Sequence, residues 1–308
     1  MAKKQRTASA AAARLTVLAA AGDSDALLGH AIDLLGAPER LGREAALEAL
    51  LAHPAAAARP ALRALYAELD VDGVKRDQGA TMRVAILRIL RAIEDARDAD
   101  LAVRGSETHE SAFGEDITWP LRAHGLMLLA DLAPDTFAYS AVEHLDDRAG
   151  DGEPANTAFQ LLAGTGNYVP IYQWLLRADA ADPLIGPVFE LFAEAPRAVV
   201  ERYASQAMSR TRGGEDGALA IVIAEAVVRL ELEAAYAALG ALMARKLSDE
   251  LYNYLAVLLA ATNRPPLLAI LEEQLHRGRH PKIIESALRV RPTPEQQAIL
   301  RRWEDGDD

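Results

Sequence analysis

The chain contains no cysteine, few aromatic residues and no long apolar run. The lack of cysteine excludes disulfides and thiolate metal sites. No run of eighteen apolar residues occurs, so we expect no membrane span. The N-terminal stretch has a basic start, but Arg14, Ser9 and Thr16 interrupt its apolar part. We therefore expect residues 1–22 to form a capping helix rather than a signal peptide, and the protein to be cytoplasmic.

The residues that are abundant favour a helical, globular protein. Of the 308 residues, 51% are hydrophobic and 25% are charged, which is typical of a folded chain. Alanine and leucine dominate, and both are strong helix formers. The net charge of −12 repels a phosphate backbone, so a nucleic-acid partner is not expected over most of the surface.

Helix-length segments repeatedly end in a turn that contains proline. Such turns occur at Pro54, Pro134, Pro170, Pro196, Pro265 and Pro292. A related turn near Glu231 lacks the proline. Proline fits the first position of a helix and cannot continue the helix before it. From Pro134 onward the turns recur every 26 to 36 residues, and the gap of 80 residues from Pro54 to Pro134 fits two longer units, as expected for a chain of helix pairs.

The apolar periodicity also indicates helices, and no alternating segment indicates a strand. Three stripes carry this prediction: Met82, Ile86, Ile89, Leu90 and Ile93; Phe137, Ala141, Val142 and Leu145; and Leu251, Tyr254, Leu255, Leu258 and Leu259. Trp174 lies on an apolar face and is expected in the core. The fold class predicted from these patterns is all-α.

In its period, proline turns and Ala/Leu patterning, the chain resembles the HEAT-like and armadillo-like α-solenoids over residues 23–304. The regular Asp and Arg of HEAT units and the Trp/Gly/Tyr pattern of tetratricopeptide repeats are missing. The resemblance implies one right-handed α-α superhelix of about seven stacked helix pairs. The last four residues, 305–308, are expected to form an acidic tail. It also implies a non-enzymatic scaffold that needs no cofactor and binds a protein partner through its concave face.

One stretch, residues 98–118, breaks the helical pattern and is expected to be an irregular loop with at most about a turn of helix. Loops on repeat scaffolds often contact partners. The candidate partner-binding residues are Glu107, His109, Glu110, Glu115, Asp116 and Trp119. Trp119 is the tryptophan most expected to be exposed. If the stretch is an insertion, deletion of 105–117 should leave the helical fold largely intact and abolish partner capture.

Four other motifs are interpreted as structural, so no metal or cofactor is predicted. His109 begins "HESAF" and lacks the second histidine of a zinc site. The stretch 70–79 lacks the closing glutamate of a calcium loop. His276 and His280 are placed at a helix end, and 162–170 is interpreted as a helix C-terminal turn.

Two alternatives to the scaffold remain open. Residues 105–153 hold eleven acids and two arginines, whereas residues 264–302 hold eight Lys/Arg and four acids. The basic end allows a HEAT-like nucleic-acid-binding or DNA-repair protein, of the glycosylase kind, although interleaved aromatics are missing. A self-associating architectural unit is the other alternative.

Overall fold

A computed structural model describes residues 2–211, 217–278 and 280–305. The expected acidic tail lies almost wholly outside the described residues. The described part is helical, with a few two-residue strands, which confirms the prediction of an all-α chain. No helix in these ranges is long and apolar enough to cross a membrane.

The described ranges contain nineteen α-helices. They are α1 (Ala2–Ala21), α2 (Ser24–Leu35), α3 (Arg40–Ala52), α4 (Arg59–Asp70), α5 (Gly73–Arg76), α6 (Thr81–Ile93), α7 (Ala99–Glu107), α8 (Trp119–Leu132), α9 (Pro134–Glu143), α10 (Ala155–Gly164), α11 (Tyr168–Arg177), α12 (Ile185–Phe192), α13 (Arg197–Arg210), α14 (Gly217–Arg229), α15 (Tyr236–Met243), α16 (Asp249–Thr262), α17 (Pro265–Arg277), α18 (Pro281–Arg289) and α19 (Pro294–Asp305). Five single 3₁₀ turns accompany them: Ala56–Ala58, Gln78–Ala80, Ala96–Asp98, Gly150–Gly152 and Glu233–Ala235.

Two short antiparallel hairpins interrupt the helices. In the first, β1 (Ser111–Ala112) pairs with β2 (Glu115–Asp116), in register Ser111 to Asp116. In the second, β3 (Arg148–Ala149) pairs with β4 (Glu153–Pro154). Each hairpin lies in a connection between helices, so the strands belong to turns rather than to a separate sheet layer.

By its internal contacts the chain divides into two compact units, Met1–Leu162 (unit 1) and Ala163–Asp308 (unit 2). In unit 1, α3, α6 and α8 pack in succession, and α7 packs closely on α8. In unit 2, from α11 to α19, each helix packs against the helix two places further along the chain, up to the pair α17 and α19. The odd-numbered helices of unit 2 therefore form one row and the even-numbered helices form a second row.

The predicted apolar stripes form most of the core. Leu251, Leu255 and Leu259 are buried on α16, and Trp174 is buried on α11, which confirms both predictions. Val142 departs from its stripe and is 47% exposed. Burial of these side chains supplies the main stabilisation of each unit, since helices of this length are marginal alone.

The predicted proline turns coincide with helix boundaries. Pro134 and Pro265 open α9 and α17, and Pro196 immediately precedes α13. Glu231 adopts a positive φ of 55° just after α14, so the turn expected there forms without proline. The positions of the turns were therefore predicted well from sequence.

The first half of 98–118 is not the irregular loop expected from sequence, because α7 occupies residues 99–107. Gly105 and Ser106 are weak helix formers, which disguised the helix. Packing against α8 compensates for them. A Cβ atom built on Gly125 would lie 2.4 Å from the main-chain nitrogen of Ser106, so only glycine permits this approach.

Candidate functional site

The second half of the stretch, residues 108–118, is the non-helical part, and we call it the 108–118 hairpin. Phe113 and Gly114 form its tip, with φ values of 56° and 84°. Two successive positive φ values are typical of tight hairpin turns, whose twist matches that of the flanking strands. Thr118 closes the base of the hairpin. Its hydroxyl donates to the carbonyl of Thr108 at 3.0 Å and accepts from the main-chain nitrogen of Glu110 at 2.9 Å.

Arg83, on α6, holds one side of the hairpin. Its guanidinium is completely buried and donates to both carboxylate oxygens of Glu110, at 2.8 and 2.7 Å. It also donates to Asp77 at 3.3 Å and Asp70 at 3.2 Å. Burial lowers the pKa of Arg83, but the hydrogen bonds and charges of Glu110 and Asp77 outweigh that effect and raise it above its ordinary value.

Arg122, on α8, holds the other side. It too is completely buried, and it donates to Asp116 of the hairpin and, at 2.8 Å, to Asp147. A third bond reaches the carbonyl of Thr108 at 3.2 Å. Burial raises the pKa of Asp116, but the hydrogen bonds from Arg122 and Thr118 outweigh it, so that pKa is lowered. Both arginines thus remain charged and paired, as buried charges must be.

The hairpin is therefore a rigid connection, and its deletion has a different consequence from the one expected from sequence. Removing 105–117 would take away Glu110 and Asp116 and leave two buried guanidinium groups short of carboxylates. It would also remove the end of α7. We now expect this deletion to destabilise unit 1, because an uncompensated buried charge costs several kcal/mol.

The six candidate residues separate into three groups in the structure. Glu107, His109 and Glu115 are exposed. The carboxylates of Glu110 and Asp116 are engaged by the two buried arginines.

Trp119, expected to be the exposed tryptophan, is only half-exposed. A Cβ atom on Gly150 would lie 2.3 Å from its indole ring, so Trp119 packs closely against the turn of the second hairpin.

Phe113 is the residue that sequence reasoning missed. It is 99% exposed, the largest exposure among the large hydrophobic residues described. Its position at the tip follows from the turn, since Phe113 and Gly114 are the two residues between the paired Ala112 and Glu115. The only sequence signal for an exposed Phe113 is the dipeptide Phe-Gly between two short polar segments. It does not show that buried arginines anchor the turn.

A cleft of about 410 Å³ lies beside the hairpin in unit 1. Its lining is Glu107, His109, Glu143, His144, Asp146 and Asp147. The rings of His109 and His144 are 6.5 Å apart. Within the described ranges, however, no three His, Asp or Glu side chains are arranged to hold a metal ion. The cleft is rich in carboxylates, so its chemistry favours a cationic group.

His144 is the buried histidine of this cleft, and its Nδ1 lies 3.2 Å from a carboxylate oxygen of Asp147. Burial lowers the pKa of His144, and the nearby charge of Asp147 offsets only part of that effect. His144 is therefore mostly neutral at neutral pH, and the charge of Asp147 is balanced by Arg122 rather than by the imidazole.

The other motifs have structural roles. Asp77, in the stretch 70–79, accepts the main-chain N–H groups of Met82 and Arg83, both at 3.0 Å, and so caps α6. Gly278 follows the end of α17, which confirms that His276 and His280 flank a helix end. Helix α10 ends at Gly164, and Gly166 has a φ of 74°, which confirms the helix C-terminal turn.

Comparison with protein-family models, with curated proteins and with solved structures found no match. The function therefore has to be argued from the geometry of this chain.

Proposed function

We propose that the protein is a non-enzymatic interaction scaffold that captures a basic protein segment at the 108–118 hairpin. The observation that carries this proposal is the exposed ring of Phe113 on a connection anchored from both sides by buried arginines. Aromatic residues, phenylalanine included, are enriched at the centres of protein interfaces, so an exposed phenyl ring on a rigid support suits an anchor for a partner. Because the hairpin is already ordered, little conformational entropy is lost when a partner binds.

The charge around Phe113 decides the chemistry of the partner. Glu107 and Glu115 are exposed on the hairpin side, and the neighbouring cleft adds Glu143 and Asp146. The two arginines that bind the hairpin, Arg83 and Arg122, are buried and already paired. A segment that carries lysine or arginine beside a pocket for a phenyl ring complements this surface in both charge and shape.

The α-solenoid arrangement belongs to the same proposal. It is supported by the two rows of helices in unit 2 and by hydrogen bonds that span one repeat length. Arg210 donates to the carbonyl of Leu176, 34 residues earlier, and Gln296 donates to that of Ala260, 36 residues earlier. Stacked helix pairs produce such constant offsets. Binding through a concave face, and a cytoplasmic location, stay predictions.

The basic stretch 264–302 gives little support to the alternative of a nucleic-acid-binding or repair protein. Arg264, Arg277, Arg289 and Arg302 each pair with a glutamate. Paired charges release few counterions, so binding to a phosphate backbone would be weak. A titration of duplex DNA at low and high salt tests this alternative; strong, salt-sensitive binding would favour it over the scaffold.

The scaffold proposal is tested by capture with matched variants of the full chain. Tagged wild-type protein is compared with Phe113→Asn and with Tyr139→Ser, which removes another exposed aromatic, 79% exposed, from α9. A second pair is Glu115→Lys on the hairpin and Glu48→Lys, an exposed acid on α3. We expect one basic partner to be lost with Phe113→Asn and Glu115→Lys only.

Cross-linking of the captured partner should then map to residues 107–116. If the two hairpin variants retain the same partners as wild type, the hairpin is not the binding site and the proposal is wrong. If the control variants lose the partner equally, the effect is not specific to the hairpin, which also contradicts the proposal.

A further inference from the structure

Unit 2 contains a cleft of about 660 Å³ at the C-terminal ends of α11 and α13. Two arginines line it, Arg210 at the end of α13 and Arg245 just after α15. Its apolar walls include Leu176, Ala178 and Ala180. The volume is within the range of small-molecule sites in proteins.

Arg245 is fixed in this cleft by main-chain carbonyls. Its Nη1 donates to the carbonyls of Met208, Ser209 and Thr211, at 3.1, 2.9 and 2.8 Å. Its Nε and Nη2 groups have no partner among the described residues. A half-buried guanidinium with one end anchored and the other free is pre-positioned to donate to a ligand.

Arg210, an exposed residue on the neighbouring wall, is held by one carbonyl. Its Nη1 donates to the carbonyl of Leu176 at 2.9 Å, while its Nε and Nη2 have no described partner. No carboxylate lies within ion-pair distance of Arg210 or Arg245 in residues 2–211, 217–278 and 280–305. Carbonyl groups satisfy some of the donors but carry no formal charge, so they do not neutralise either guanidinium.

Two other titratable groups line the cleft. The carboxylate of Asp179 accepts the main-chain N–H of Ala181 at 3.0 Å, within its own turn, so the lining carries two arginines against one carboxylate. Tyr203 donates to the carbonyl of Leu175 at 3.4 Å. Burial raises the pKa of Tyr203 to about 12 although the charge of Arg210 acts to lower it, so the phenol stays neutral.

We infer that this cleft binds a small organic anion whose carboxylate or phosphate group accepts from Arg210 and Arg245 while its apolar body lies on Leu176, Ala178 and Ala180. Guanidinium groups offer paired N–H donors that match the oxygens of either group. In a chain with a net charge of −12, a cleft lined by two arginines and one carboxylate, in which neither arginine forms an ion pair with the described residues, is a local site for an anion. This site is separate from the hairpin, and its test does not depend on the proposed scaffold function.

The test is a titration of the full chain with phenyl phosphate, benzoate, inorganic phosphate and benzyl alcohol, followed by saturation-transfer NMR and calorimetry. We expect phenyl phosphate or benzoate to bind saturably, and the better of the two shows which oxyanion the cleft prefers. Inorganic phosphate should bind about ten-fold more weakly because it lacks the apolar body, and benzyl alcohol should not bind.

Three variants make the result specific. Arg210→Gln should weaken binding about ten-fold or more, and Arg245→Lys, which keeps the charge but loses the planar donors, should weaken it as well. Arg229→Gln is the matched control, since Arg229 pairs with Glu190 and does not line the cleft. Circular dichroism and the melting temperature establish that each variant is folded.

Two outcomes would overturn the inference. One is the absence of saturable binding of both phenyl phosphate and benzoate to the wild-type protein at millimolar concentration. The other is an affinity of Arg210→Gln equal to that of wild type and of Arg229→Gln, since the bound anion would then lie elsewhere.

Discussion

Each unit contains two arginines that join neighbouring helices and stand beside its candidate site, and the acceptors of these two pairs of arginines differ. In unit 1, Arg83 and Arg122 are buried and bind carboxylates of the next connecting segment. In unit 2, Arg210 and Arg245 donate to main-chain carbonyls at helix ends. Carboxylates cancel the arginine charge and carbonyls do not. The same residue type therefore produces a rigid, neutralised support in unit 1 and a local positive potential in unit 2.

The largest expected effect is the loss of stability when one arginine of each kind is replaced by methionine. Arg122→Met should destabilise unit 1 by about 3–5 kcal/mol, because Asp116 and Asp147 lose their buried counter-charge. Arg245→Met should cost only about 1 kcal/mol, since the carbonyls it leaves can bind water. Urea unfolding, followed by hydrogen exchange of peptides from each unit, measures both. Equal losses in the two variants would show that the acceptor type does not matter.

The arginine series of unit 1 also shows what the sequence did not reveal. Arg43, Arg83 and Arg122 lie 40 and 39 residues apart. Their partners Glu68, Glu110 and Asp147 follow 25, 27 and 25 residues later. Proline turns and apolar stripes do not contain this repeat, and the acids stand in segments that resemble solvated loops. In the sequence the repeat is visible only as Arg–acid pairs at a nearly constant offset of 25 to 27 residues.

Local patterns predicted the helices and the buried Trp174 because burial on one helix face leaves a period in the sequence. They failed for α7, where packing of Gly105 near Gly125 outweighs poor helix propensity. They also failed for Phe113, because exposure depends on how neighbouring segments fold around a turn. Contacts distant in sequence leave no local period.

A smaller effect is expected from two helical glycines, one in each unit. Gly125→Ala should destabilise unit 1 by about 2–3 kcal/mol, because the added Cβ would meet the main chain of α7 at 2.4 Å. Gly240→Ala, on α15, should be neutral or stabilising by up to about 1 kcal/mol. Its Cβ would lie 3.6 Å from the side chain of Ile270, which is ordinary contact. Melting temperatures of the two variants test the pair; a stable Gly125→Ala protein would contradict the close approach of α7 and α8.

The stability of unit 1 should also depend on pH, through two buried or half-buried histidines. Burial lowers the pKa of His144 and of His124, and the charges of Arg88 and Arg91 lower that of His124 further. The unfolded chain, with histidine pKa values of about 6.5, then takes up protons at a higher pH than the folded chain. Stability of unit 1 should be complete above about pH 6.5 and fall as the pH drops through the lowered values.

Hydrogen exchange of unit 1 peptides between pH 7 and pH 5, corrected for the intrinsic rate, measures this dependence. The variant His124→Asn/His144→Asn should flatten it, because neither position can then take up a proton. An unchanged slope in that variant would assign the pH dependence to other groups.

The smallest expected effect on stability concerns the residue that carries the proposed function. Phe113 has a positive φ of 56° and is 99% exposed, so its ring gains little from the fold and its backbone conformation is unfavourable for phenylalanine. Asparagine tolerates this conformation and is preferred before glycine in such turns. Phe113→Asn should therefore leave stability unchanged or raise it by a few tenths of a kcal/mol, while partner capture is lost. A clear loss of stability in urea unfolding would mean that the ring supports the fold, and the argument that its exposure serves a partner would fail.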